Sequence, residues 1–417
     1  MKFSEYTITA KPEQSVDPLA FIQPFGSFRS RLYPQFTVLS NAPAYHGMLA
    51  LAFQILGKRR IEPGKDDFVR RFREVEILWG LASVAAGQSI LNVTKYQAIL
   101  EGRDRIELRG IGRSNAIFLS LAYGTLGHYS SPSVVWGFLE RSGVRLTPLG
   151  TRLAEAFAKR GRKSLDTIID DWLEGNVITH TQLKAIGKAY GIDSLPSPTE
   201  QEVWQDAVEA LCSHKTEIST LWTNPFSEDE LLAQRADHAT YSNFFPYLAD
   251  RYPRLAEVFR QAGRFETMSA ICLFLFEREY LLCHDAGTAL PSVGALERTL
   301  AEKLTSLAKD YMASDNHYDT KGLFAALSGA SGHTAAAAII VQHHEQSQRD
   351  KGSMPYMQNG ELCVRDRFDR QGFTTLHEEI SGMAGADEQL ALLTYHYRRD
   401  WHFDRAIRYV RYIRGDA

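Results

Sequence analysis

Apolar residues recur at intervals of three and four along most of this chain, the spacing of helices with one face against a core. The clearest case is "DDFVRRFREVEILWGLASVAAG" (66–87), where Phe68, Phe72, Val75, Leu78, Trp79 and Ala82 make one stripe. Asp66 and Asp67 stand where a helix N-terminus favours negative charge, and Arg70, Arg71 and Arg73 lie off much of the stripe. "AYHGMLALAFQILGKRR" (44–60) has the same period and ends on Lys58, Arg59 and Arg60, which suit a helix C-terminus. Past residue 163 helix follows helix: "SLDTIIDDWLEG" up to Gly175, "THTQLKAIGKAYGI", "EQEVWQDAVEALC", "SEDELLAQRADHATY", and three more before the end. Thr199 and Glu202 have the spacing of a capping box for the third of these.

Residues 1–45 differ, with a strand-like "YTITAKPE" and a loop-rich stretch broken by prolines and a glycine. Strand patterning is otherwise confined to "PYMQNGELCV", where Asn359-Gly360 suits a two-residue hairpin turn that would face Met357 to Leu362. No segment recurs at a fixed period of about 30 to 50 residues, so no repeat array is expected. The pattern predicts a mainly α, multi-helical protein with a small β-hairpin near the C-terminus, at about 354–366.

Length and charge divide this helical picture. A chain of 417 residues exceeds one ordinary core. Residues 1–163 hold 23 Lys and Arg against 13 Asp and Glu, residues 164–247 hold 4 against 14, and the remainder 20 against 23. Three regions are therefore expected: a basic one over 1–163, an acidic helical one over 164–247, and a C-terminal helical domain over 248–417. The basic part is a candidate polyanion surface, with the acidic part either docked on it or outside it. No apolar run approaches a membrane span. The N-terminus lacks the apolar core of a signal peptide, and Cys212, Cys272, Cys283 and Cys363 are scattered, which suits a reducing cytoplasm.

Candidate chemistry is thin. "LSGASGHTAA" lacks the first Gly and the Lys of a phosphate-binding loop. His343 and His344 point about 100° apart on a helix, with no further ligand four residues away to complete a metal face. "TLHEEISGM" has one of the two histidines a zinc-protease helix needs, and no Gly-x-Ser-x-Gly is present. No metal or cofactor is expected, and enzymatic activity is left open with the balance against it.

Basic segments carry more. "FRSRLYPQF" interleaves Arg29 and Arg31 with Phe28, Tyr33 and Phe36, a mix that serves phosphate pairing with base stacking, or rings packed inward with arginines in water. "ELRGIGRSNAIFL" resembles the helix-hairpin-helix motif: Gly110, Ile111 and Gly112 form its turn and Ala116 follows four residues on. The resemblance implies backbone N–H groups on a phosphate, with charge from Arg109 and Arg113. Arg109 stands where that family often has Pro.

"SSPSVVWGFLERSGVRLTPLGTRLAEAFAKRG" resembles winged-helix domains. "PSVVWGFLER" takes the place of the recognition helix and "VRLT" that of the last wing strand; Thr147 is the helix cap, with Pro148 and Gly150 in the first turn. The unit spans about 115–160 in degenerate form, since the wing is nearly absent and the recognition helix is largely apolar (Val134, Val135, Trp136, Phe138, Leu139), with only Arg141 positively charged. Such a helix is poorly equipped to read bases. The chain ends in "YHYRRDWHFDRAIRYVRYIRGDA", a basic aromatic helix suited to phosphates or to the acidic segment of its own chain. The overall layout is similar to large helical proteins encoded beside helicases or nucleases in bacterial genome-defence loci.

The expectation is a nucleic-acid-associated accessory protein that grips the DNA backbone without catalysis, possesses protein partners and does not use a membrane. Arg29, Arg31, Arg59, Arg60, Arg70, Arg71, Arg73, Arg109, Gly110, Gly112 and Arg113 are its candidate contacts. A protein-interaction scaffold and a divergent nuclease are the alternatives.

Overall fold

The computed structural model describes residues 17–36, 42–63, 66–111, 125–141, 145–214, 221–222, 229, 237–283, 294–314, 317–358, 361–363 and 368–416. "YTITAKPE", Gly112, Arg113, the Asn359-Gly360 turn and most of "SEDELLAQRADHATY" lie outside these residues. Within them the protein is mainly helical, with two small antiparallel two-stranded sheets. No described helix is long and apolar enough to cross a membrane.

Contacts group the chain into two units. One comprises residues 1–29 with 229–401, the other 30–228 with 402–417. The chain thus leaves the first unit early, returns to it, and ends in the second.

The second unit is built on α2 (Ala44–Lys58) and α3 (Asp66–Ala85), the two helices the pattern marks most clearly. α2 is buried along almost its whole length, because α3, α5 (Thr125–Val135) and α6 (Pro148–Ala158) cover it. α8 (His180–Tyr190) crosses α3 so closely that a Cβ on Gly187 would come within 2.0 Å of the Ala82 carbonyl oxygen. Two indoles tie this layer to its neighbours: Trp79 donates to the Tyr190 carbonyl (2.6 Å), and Trp172, on α7 (Leu165–Leu173), donates to that of Glu74 (2.9 Å). α4 (Val93–Leu100) follows α3, and strand β1 (Arg105–Ile106) pairs with β2 (Ile178–Thr179).

α9 (Pro198–His214) starts differently from the expected capping box. Ser197 caps it by accepting from the Glu200 amide (3.3 Å), and Pro198 takes the first helical position, where a missing N–H costs nothing. The C-terminal helix α18 (Phe403–Arg414) completes this unit. Its Tyr409 stacks on Trp136 at 5.8 Å and meets Trp204 edge-on, and its hydroxyl bonds His46 (2.9 Å).

The first unit centres on α12 (Ala256–Cys283), whose Phe259, Phe265, Met268, Ile271, Phe274, Leu275 and Phe276 are all buried. Packed around it are α11 (Phe244–Arg251), α13 (Ala295–Met312), α15 (His333–Asp350), α16 (Arg370–Gly382) and α17 (Ala386–His396). Short α10 (His238–Ser242) and α14 (Leu323–Leu327) link these. The hairpin strands β3 (Met357–Gln358) and β4 (Glu361–Leu362) pair with Met357 opposite Leu362, as the alternation requires.

His343 and His344 serve this unit as anchors for the backbone at 17–19. His344 Nδ1 donates to the Pro18 carbonyl (2.8 Å) and its Nε2 accepts the Tyr356 N–H (2.8 Å), which fixes the neutral tautomer. His343 bonds the Leu19 carbonyl oxygen (3.1 Å), and Gln348 and Lys351 reach that of Asp17. Just beyond, the stretch expected to be loop-rich contains α1 (Ile22–Leu32). Pro24 falls in its first turn, where helices tolerate proline, and the Asp17 carboxylate caps it by accepting from the amides of Phe21 (2.9 Å) and Ile22 (3.0 Å).

Candidate nucleic-acid interface

The wing-like stretch is a helix, a bridged turn and a second helix. The helix expected over Pro132–Arg141 stops at Val135. Gly137 takes a φ of +78°, its N–H bonds the Val134 carbonyl (3.1 Å), and the Phe138 N–H bonds that of Ser133 (2.9 Å). This pair of bonds is the Schellman termination that glycine favours. The chain then extends through an antiparallel bridge between Leu139 and Leu146. Trp136, Phe138 and Leu139 are buried, so the larger apolar residues of the supposed recognition helix belong to the core, while Val134 and Val135 are half-buried.

Thr147 fastens the second helix. Its Oγ1 accepts from the Gly150 amide (3.0 Å) and donates to the Gly137 carbonyl (2.6 Å), and its own amide bonds the Phe138 carbonyl (3.1 Å). A Cβ on Gly150 would stand 2.0 Å from that Phe138 oxygen. The Leu-Thr-Pro-Leu-Gly sequence is thereby explained by capping and close approach.

Four of the nine candidate arginines are committed to carboxylates. Arg70 pairs with Asp67 and with Glu74 (2.7 Å), and Arg71 bonds Glu74 (2.9 Å) and lies 3.6 Å from Asp67, so two cations share two anions. Arg73 is buried and paired with Glu76. Arg59 bonds Asp170 (2.7 Å), with Glu174 at 3.8 Å. Arg29 covers the Phe25 ring at 4.9 Å, and both Arg29 and Arg31 are half-buried. The rings interleaved with them face inward: Phe28 packs against Phe265 and Tyr318, and Phe36 against Trp136, Trp222 and Tyr409. Base stacking on these rings is therefore excluded. Gly110 closes a 3-10 turn (Leu108–Gly110), and exposed Arg109 rests beside Gly175. Arg103 and Arg105 are exposed nearby, interspersed with exposed Glu101, Asp104 and Glu107.

The acidic middle docks on the basic first part. Lys58–Asp166 (3.9 Å), Arg59–Asp170, Arg152–Asp206 (2.7 Å) and Lys163–Asp171 (2.8 Å) all join the two. The strongest link is buried. Arg160 forks onto Glu200 (2.5 and 2.6 Å), which also accepts from the Tyr412 hydroxyl of α18 (2.7 Å). This fork–fork geometry offsets the cost of taking both charges out of water.

A smaller set of cations stays uncommitted. Arg60, Arg141 and Arg145 are exposed and have no acidic partner among the described residues. Arg145 lines a cleft with Gly57, Ile61 and Glu62, which brings the bridged turn to the end of α2 where Lys58 and Arg60 emerge. Arg60 is among the contacts expected from the sequence; Arg145 is not. Its signal was the pair of arginines flanking a short turn, Arg141 and Arg145.

A polar cluster in the first unit has the composition of a nucleophile relay. Ser381 Oγ lies 3.4 Å from His377 Nδ1, and His377 Nε2 lies 3.0 Å from Glu297 Oε1. Arg278 also donates to that oxygen (3.1 Å), and the Gly294 amide donates to Oε2 (2.8 Å). Burial pulls the Glu297 carboxyl up, and hydrogen bonds from His377 and the backbone overcome it and hold it below its ordinary value. Phe274 stacks on the imidazole. The arrangement joins α12, α13 and α16 as a buried ion network. Among the described residues no group of three or more His, Cys, Asp or Glu is placed to hold a metal. Comparison with protein families, with curated proteins and with solved structures finds no match to this chain.

Proposed function

We propose that this protein is a non-catalytic nucleic-acid-associated accessory protein that holds the phosphate backbone through the bridged turn of its second unit. The observation that carries this is that Arg60, just past the end of α2, and Arg141 and Arg145, on either side of the bridged turn, are exposed and unpaired, with Arg145 on a cleft beside Gly57 and Ile61, while four other candidate arginines are neutralised within the fold. The bridge between two helices also supports the winged-helix resemblance, with contact made by the wing rather than by a helix in the groove. No base-reading side chain is assigned, so binding is independent of sequence.

Fluorescence anisotropy of the full chain on a short DNA duplex across a salt series tests this. Affinity should fall steeply with salt, and the triple variant R60A/R141A/R145A should flatten the log–log slope by about 2.7. R70A/R71A should leave it unchanged. Absence of binding at low salt sinks the proposal, and magnesium-dependent cleavage by the purified chain would put the nuclease alternative in its place.

A further inference from the structure

We propose that a cleft in the first unit binds a small phosphate-bearing ligand with a flat apolar body, a nucleoside phosphate by chemical class. The cleft measures about 590 Å³ and is bounded by the α10–α11 junction, α12, α13 and α17. This is within the range of small-molecule sites, and every wall belongs to the same unit.

Three cations line it: Arg260 and Arg264, one turn apart on α12, and Lys303 from α13. Arg264 and Lys303 have no acidic partner within 4.0 Å among the described residues, and Arg260 has only Glu257 at 3.7 Å on the exposed surface of its own helix. Asp250 and Asp387 also line the cleft, yet neither is within ion-pair distance of these cations. Two arginines and a lysine that form no ion pair with the cleft's two aspartates suit a phosphoryl group, which takes guanidinium in a fork and ammonium as a point charge.

A second observation points the same way. Thr394 lines the cleft, and its hydroxyl, which bonds no described residue, stays accessible to it. An accessible hydroxyl can donate to, or accept from, a ligand seated in the cleft. Asn243, also in the lining, donates from its amide nitrogen to the Ala239 carbonyl (3.4 Å) and keeps its own carbonyl oxygen as an acceptor. Phe245 and Leu307 supply an apolar wall. Cations, an apolar wall and a free hydroxyl in one cleft are features that suit a nucleoside phosphate.

Isothermal titration of the full chain with inorganic phosphate and with AMP, GMP, CMP and UMP tests the proposal. At least one nucleotide should bind once per chain, with inorganic phosphate about 10-fold weaker or more, and R264A/K303A should weaken the nucleotide about 10-fold. T394V, which puts a methyl group in place of the hydroxyl, should weaken it several-fold while leaving thermal stability unchanged. K303A alone carries the charge test if the double variant does not fold, because Lys303 is exposed. The proposal is overturned if none of the five binds at millimolar concentration, if phosphate binds as tightly as every nucleotide, or if the charge variants bind unchanged.

Discussion

His344 and His46 are each held neutral between two fixed partners. Burial pushes His344 down to about 4 and His46 down to about 3. His46 has the hydroxyls of Ser133 at Nδ1 (2.7 Å) and Tyr409 at Nε2, and its complete burial disfavours the charged form. The unfolded chain takes up a proton as pH falls below about 6.5. The folded chain refuses it until the lowered value is reached, so stability present at neutral pH is lost progressively toward pH 4. Buried Glu266 and Glu277, raised by desolvation, act in the opposite direction, so the effect of His344 is best read as a difference. Between pH 6 and 4.5, H344Q should have a stability slope shallower than wild type by about 1.4 kcal/mol per pH unit, from urea midpoints at constant ionic strength. Equal slopes would show that His344 is already charged in the fold. The arginine partners were half legible at this scale. Asp67 and Glu74 stand three or four residues from Arg70 and Arg71, a spacing that announces pairing in any helix. Asp170 is 111 residues from Arg59, and nothing local announces it.

At the scale of elements, the bridged turn is held by three small decisions: a left-handed Gly137, a capping Thr147 and a Gly150 with no room for a side chain. T147A should cost about 1 kcal/mol by loss of the cap. G150A should cost more, about 1 to 3 kcal/mol, because the Phe138 carbonyl must move. Chemical denaturation ranks the two, and a G150A protein as stable as wild type would mean that α6 does not press on the turn. Helices with an uninterrupted apolar stripe, such as α2 and α3, were plain in the sequence because burial on one face imposes the 3.6-residue period. α1 was not, since its proline and glycine resemble loop punctuation and its cap, Asp17, stands five residues before Ile22. The end of α5 was missed for a related reason. Val134, Val135, Trp136, Phe138 and Leu139 are all apolar, and only the positive φ of Gly137 separates helix from extended chain.

Across the whole molecule, the division of charge became an internal joint. A +10 first part and a −10 middle part close on each other through Arg160–Glu200, Arg59–Asp170 and their neighbours, so net charge by region overstated the free basic surface. α18 has the same inward role, with Tyr409 and Tyr412 in the core of the second unit. A chain ending at Trp401 keeps every residue of the first unit and deprives the second of that helix. Hydrogen exchange should then show protection lost across 44–214 and retained across 256–350, and full protection in both would mean that α18 is dispensable. The same connectivity bears on synthesis. Residues 30–228 leave the ribosome long before α18 is translated, so Trp136, Trp204 and His46 wait without their last cover while residues 229–401 of the first unit are being made. A nascent chain in that state is an open aromatic surface and a natural client for chaperones. A premature stop near the C-terminus would therefore be expected to deplete the protein through proteolysis, even though it removes none of the residues proposed to touch a ligand.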